Sequence, residues 1–183
     1  MIETYLIVGN FLSLCCAICL GISVIKKDKK NLILWQVWDS IFGLLASVVL
    51  FSYASFTTQI LCSTRNVLAY RKGLTIGTTI LLIILCTAIG LWANNRGVIG
   101  LLPIIAFAGY TMAMYWSKND QQMRYAVTLN LLPWFIHDWY IQAYPSAVMD
   151  IILSAWSFYQ AMRRVSRKKR LNMRKTCLSQ QGV

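Results

Sequence analysis

Five ionisable side chains stand inside long apolar stretches of this 183-residue chain: Asp39, Arg65, His137, Asp138 and Asp150. A charge in hydrocarbon is costly, so such groups line a cavity or hold one another. Two chemistries are open to them. One is a polar path that binds a solute or a proton; the other is a set of ion contacts that lock helices together. At about 1.5 Å per helical residue, Asp39 stands about 13 Å from Lys30 and Arg65 about 9 Å from Arg71. The two share a depth and are expected to pair, with Asn66 beside them as a further inner-half candidate. His137, about 20 Å from Arg124, forms a second group with Asp138 and Asp150 nearer the other face. It is the sole histidine, and imidazole titrates near neutrality. With Asp138 or Asp150 it is the leading candidate for a substrate or proton site. The contact expected is His137 with Asp150. Adjacent helical residues point about 100° apart, so His137 and Asp138 are not expected to face each other. Pro133, one turn before His137, removes a backbone hydrogen bond near mid-span and is the candidate gate.

Other reactive groupings are weak. A lone histidine with no Cys or His at helical spacing cannot build a zinc site. The sequence shows neither a Ser–His–Asp arrangement nor a nucleotide-binding loop, so no enzyme, metal or cofactor is expected. Cys15, Cys16, Cys19, Cys62 and Cys86 lie in apolar runs and Cys177 in the tail. Cys16-x-x-Cys19 has redox spacing without the βαβ setting such a motif needs, so these thiols read as small, soft packing residues. Trp35, Trp38, Trp134, Trp139 and Trp156 lie deep in their runs. They either pack a bundle or stack on a flat ligand.

Seven apolar runs must position these side chains: 5–25, 32–51, 55–70, 74–92, 98–116, 125–144 and 146–162. A helix needs roughly 20 residues to cross about 30 Å of hydrocarbon. The third and seventh runs are short and would span inside a bundle. All are too long and too continuously apolar for barrel strands. The fold class expected is therefore an all-α integral membrane protein with seven transmembrane helices. The first run follows Glu3 rather than bases, so it reads as a retained span, not a cleaved signal.

Lys and Arg fall in alternate gaps between the runs. Lys26, Lys27, Lys29 and Lys30 follow run 1; Arg71 and Lys72 follow run 3; Lys118 and Arg124 follow run 5; a basic tail follows run 7. The other gaps hold Arg96 alone. Cytoplasmic loops retain bases, so the amino terminus is expected outside and the carboxyl terminus in the cytoplasm. The net charge of +12 then lies on one face, where the basic tail meets anionic lipid; nucleic acid is not an expected partner.

The pattern of run, basic gap, run, short turn, run occurs twice, and the basic ends of the two triplets lie 92 residues apart, at Arg71 and Arg163. Joined directly, the second triplet would be upside down. The fourth run crosses once more and restores the orientation. The organisation expected is a three-helix repeat over 1–72, a lipid-facing linker helix over 73–97, a parallel three-helix repeat over 98–164 and a basic cytoplasmic tail over 165–183. A homo-oligomer is compatible with this plan.

Several segments carry a family resemblance: Leu101-Leu-Pro-Ile-Ile105, Trp134-Phe-Ile-His-Asp-Trp139, the acid in Ala147-Val-Met-Asp150-Ile, and Arg65 late in the third run. They resemble the YgjV family of bacterial inner membrane proteins, grouped with the SWEET and PQ-loop superfamily of small transporters. The resemblance implies a seven-helix carrier or facilitator for a small polar solute in a bacterial plasma membrane. The chain lacks a clear Pro-Gln pair, so the resemblance implies no particular sugar or amino-acid substrate. The rival reading is a non-transporting membrane protein, with an assembly or interaction role, whose buried charges are structural.

Overall fold

The computed structural model describes residues 2–26, 28–117 and 119–180. These form seven helices and no strand: α1 (Ile2–Ile25), α2 (Lys29–Val49), α3 (Tyr53–Tyr70), α4 (Ile76–Trp92), α5 (Leu101–Trp116), α6 (Asp120–Tyr140) and α7 (Tyr144–Gln180). Each apolar run has become one helix. Lys27 and Lys118 lie outside the described residues, as do the side chains of Glu3, Lys29 and the tail from Arg164 onward, Cys177 included. The tail backbone continues α7 as helix to Gln180.

Polar residues set the helix starts. Asp28 accepts from the Asn31 N–H to open α2, and Asn119 accepts from the Gln122 N–H to open α6. Thr75 and Thr78 form a reciprocal capping box at the start of α4. The ends of α2 and α6 are built alike. Phe51 and Gln142 both take the left-handed conformation, at φ 54° and 64°. The next N–H turns back in each case, Ser52 to the Ser47 carbonyl and Ala143 to the Asp138 carbonyl, both at 2.9 Å. This is the helix-ending turn that glycine usually supplies.

Two arginines, Arg124 from the basic gaps and Arg96 from the others, prove to be caps. Arg96 donates to the Leu50 carbonyl at 3.0 Å, at the end of α2. That contact accounts for the lone base that broke the alternation. Arg124 is buried and donates to the Val24 and Lys26 carbonyls at the end of α1. A cation at a helix carboxyl end satisfies free carbonyls and opposes the dipole.

Consecutive helices pack on one another, and α7 returns to α1. Helix α3 also meets α5 directly, with α4 packed against both. Helix α4 is therefore not only a lipid-facing linker: Thr79, Leu82, Cys86 and Gly90 are buried on that contact face. Gly90 allows the approach, because a Cβ there would come within 2.7 Å of Ile104. The exterior is apolar, and several polar residues are buried together with the apolar core. Ile7, Phe11, Ile84, Trp92 and Leu129 are exposed, whereas Ser13, Thr58, Asn66, Thr111 and His137 are buried. An apolar exterior of this extent needs lipid or a partner to cover it.

Candidate functional site

Many of the buried polar residues line a cavity of ≈ 60 Å³ between the helices. A cavity needs roughly 10–15 Å³ to admit one water, so this one has room for a few waters. Its wall takes residues from α1, α2 and α3 on one side and from α5, α6 and α7 on the other; α4 supplies none. Asp39, Arg65, Asn66, Asp138 and Asp150 all line it, although the sequence placed them in two groups at different depths. His137 does not. It sits behind Asp138, fully buried.

The expected ion pairs are not the ones formed. Asp39 and Arg65 share the cavity without bonding each other. The Cys16 thiol donates to Asp39 Oδ1 at 2.9 Å. Arg65 directs Nε and Nη2 at the Asn66 amide oxygen, at 3.1 and 2.9 Å, and Nη1 at Thr111 Oγ1. Its guanidinium lies over the rings of Phe107 and Tyr110, 5.2 and 4.7 Å from their centroids. Arg65 is thus drawn across the α3–α5 contact by α5, away from α2. Depth along a helix placed Asp39 and Arg65 at one level; rotation about each axis decided that they would not pair.

The pairing of His137 with Asp150 is likewise replaced. His137 Nδ1 lies 2.8 Å from Asp138 Oδ1, within hydrogen-bond distance. Their Cα–Cβ bonds diverge, but both side chains are long enough to curl together. A carboxylate only accepts, so Nδ1 carries the proton, and Nε2 faces the Ser52 hydroxyl at 3.1 Å. That hydroxyl can donate or accept, so the ring keeps partners with or without a second proton. Asp150 has no ion pair. Its Oδ2 is buried without a hydrogen-bond partner. Pro133 lies inside α6, which continues across it unbroken, and it is not on the wall.

Sequence reasoning missed Gln36, Gln59, Asn130 and Tyr110. Gln36 and the Tyr110 hydroxyl bond each other at 2.9 Å, linking α2 to α5. Asn66 Nδ2 donates to the Gln36 carbonyl at 3.2 Å. Gly43 makes room for Gln59, whose amide nitrogen would lie 2.6 Å from a Cβ at that position. Uncharged amides inside apolar runs were the available signal. Of the deep tryptophans, Trp134 lines the cavity, whereas Trp38, Trp139 and Trp156 are exposed on the apolar exterior. The five cysteines among the described residues are free, and no group there could hold a metal ion.

Buried polar residues within an all-helical, apolar-coated fold mark a membrane protein. Two helices, over Thr4–Ile25 and Lys30–Val49, are long and apolar enough by themselves to cross a bilayer; those over Ile76–Trp92 and Leu101–Trp116 are apolar but shorter. The chain belongs to the Imp-YgjV family, bacterial inner membrane proteins, whose profile matches residues 7–169. No curated protein and no solved structure matches it.

Proposed function

We propose that this protein is a carrier or facilitator for a small polar solute, working by alternating access around the central cavity. The observation that carries this reading is the composition of the wall: six helices contribute and α4 does not. That division supports two three-helix units with α4 as the linker between them, the plan of SWEET-like carriers. Positions 91 residues apart support a parallel repeat. Asp28 and Asn119 cap in the same way, Phe51 and Gln142 turn in the same way, and on the wall Asp39 corresponds to Asn130 and Gln59 to Asp150. In both of these pairs a carboxylate of one unit corresponds to an amide of the other. The amino terminus lies outside and the carboxyl terminus in the cytoplasm, in this reading, with no chemical step and no cofactor.

The second reading, a non-transporting protein with structural charges, is favoured by one feature. The cluster of Arg65, Asn66, Gln36 and Tyr110 is bonded within itself, as a helix lock would be.

Single cysteines in a cysteine-free background separate the two readings. With a membrane-impermeant thiol reagent, Asn95→Cys should react only from outside and Asp28→Cys only from the cytoplasmic side. Gln59→Cys, on the wall, should react from both sides in turn. Reaction of Gln59→Cys from one side only, or from neither, would overturn the carrier.

A further inference from the structure

The two ends of the bundle are sealed unequally. Towards the α2–α3 and α6–α7 turns, a second cavity of ≈ 20 Å³ shares Cys16, Gln59, Trp134, Asp138 and Ser146 with the first and reaches Leu50 and Ile141. These two are the cap residues of α2 and α6, at the last turn of the bundle. With Ala143 they form a small buried apolar cluster, and Leu6 packs against it. Gly9 on α1 leaves the seat for Leu50, because a Cβ there would come within 2.6 Å of its side chain. The opposite end is built more heavily. Val24, Leu32, Ile33, Met114 and Met123 belong to one larger core cluster there, and Arg124 fastens α6 to the end of α1.

Leu50 and Ile141 are 91 residues apart, the offset that also separates Lys29 from Asp120 and Val49 from Tyr140 at the bounds of α2 and α6. Each unit therefore puts the same position of its second helix into the plug. The polar bonds around the plug cross between the units as well. Ser52, two residues after Leu50, lies 3.1 Å from His137, one turn before Ile141. Ser13 on α1 donates to Ser146 on α7 at 2.7 Å. The plug so lies on the seam between the units, where a relative movement parts it. An apolar constriction of this kind excludes water while narrow and wets when it widens.

We propose that Leu50 and Ile141 are the paired halves of an apolar gate, and that the cavity is reached from this end by their parting. As a route for cargo this rests on the carrier reading; as a route for a reagent in water it does not.

Gln59→Cys in the cysteine-free full chain reads the gate, because Gln59 lines both cavities. The membrane-impermeant thiol reagent is added at the face where Asn95→Cys reacts, since Asn95 bonds the Phe51 carbonyl in the α2–α3 turn and marks this end. The reaction rate at Gln59→Cys should rise about tenfold or more with Leu50→Ala, and likewise with Ile141→Ala, because each truncation removes contacts that hold the plug shut. Ile141→Val loses one methyl group, a change that cores tolerate, and should raise the rate about two- to tenfold. Met114→Ala, in the core at the opposite end, should leave it unchanged. An unchanged rate in the Leu50 and Ile141 variants, an equal rise with Met114→Ala, or no reaction in any of them overturns the gate. Where the alanine variants do not fold, Ile141→Val decides. A faster reaction from this face with none from the other would keep the gate and remove the carrier. Two-sided reaction at rates untouched by the Leu50 and Ile141 variants would do the reverse.

Discussion

The Arg65 and Asp150 regions of the cavity wall use similar residues and differ in how their hydrogen bonds end. Around Arg65 they close on themselves. Arg65 binds Asn66, Asn66 binds the Gln36 carbonyl, and the Gln36 side chain binds Tyr110, tying α2, α3 and α5 together. Around Asp150 they stop short. Asp138 is held from behind by His137, which Ser52 holds in turn, and Asp150 Oδ2 is buried without a hydrogen-bond partner. A satisfied buried network rigidifies; an unsatisfied one stores a cost that a ligand can relieve. The lesson is that burial and charge alone do not separate lock from site. The distribution of unmade bonds does.

The largest effect should come from breaking the closed side. Asn66→Leu removes the acceptor that takes two donors of Arg65 and leaves a buried guanidinium poorly paired. It should cost about 3–5 kcal/mol, read as a fall in Tm by thermal unfolding in detergent. Asp150→Asn, which removes an orphan instead of a partner, should cost nothing or raise Tm. If both variants melt with the wild-type chain, the contrast between the two regions is wrong.

A middle effect is expected at His137→Gln. Glutamine retains a donor and an acceptor but cannot bridge Asp138 and Ser52 as the ring does, so one or two hydrogen bonds weaken, at about 1–2 kcal/mol in all. Unfolding should show a loss clearly smaller than that of Asn66→Leu. An equal loss would make His137 a lock of the same kind as Asn66.

The smallest effects probe the two matching turns. Gln142→Gly relieves a left-handed residue that costs roughly 1–2 kcal/mol, set against the larger entropy glycine loses on folding. A net gain of about 0.5 kcal/mol is expected. Phe51→Gly relieves the same strain but loses the edge contact with Tyr5, 5.7 Å between ring centroids. It should therefore gain less than Gln142→Gly, measured on the same melting curves. A larger gain at Phe51 would mean that this contact holds nothing.

Hydropathy along the chain was enough for the helices. All seven runs became helices because continuous apolar stretches of this length can satisfy their backbone only internally once water is excluded. That Asp39, Arg65, Asn66, Asp138 and Asp150 would face the interior was also legible, because an ionisable or amide side chain in such a run has few other places to go; that they share one wall, and not two groups at different depths, was not. The pairings were not. Whether Arg65 turns towards Asp39 on α2 or Thr111 on α5 depends on the rotation of α3 and on its direct contact with α5, and sequence spacing carries neither. Asp138 could fold back onto His137 because side-chain reach overrode the divergence of their Cα–Cβ bonds. The role of α4 as a packed helix, of Arg96 and Arg124 as caps, and of Asp150 as the carboxylate left unpaired were decided by tertiary packing alone. Each depends on which atoms of distant segments meet, and a one-dimensional pattern of polar and apolar residues does not encode that.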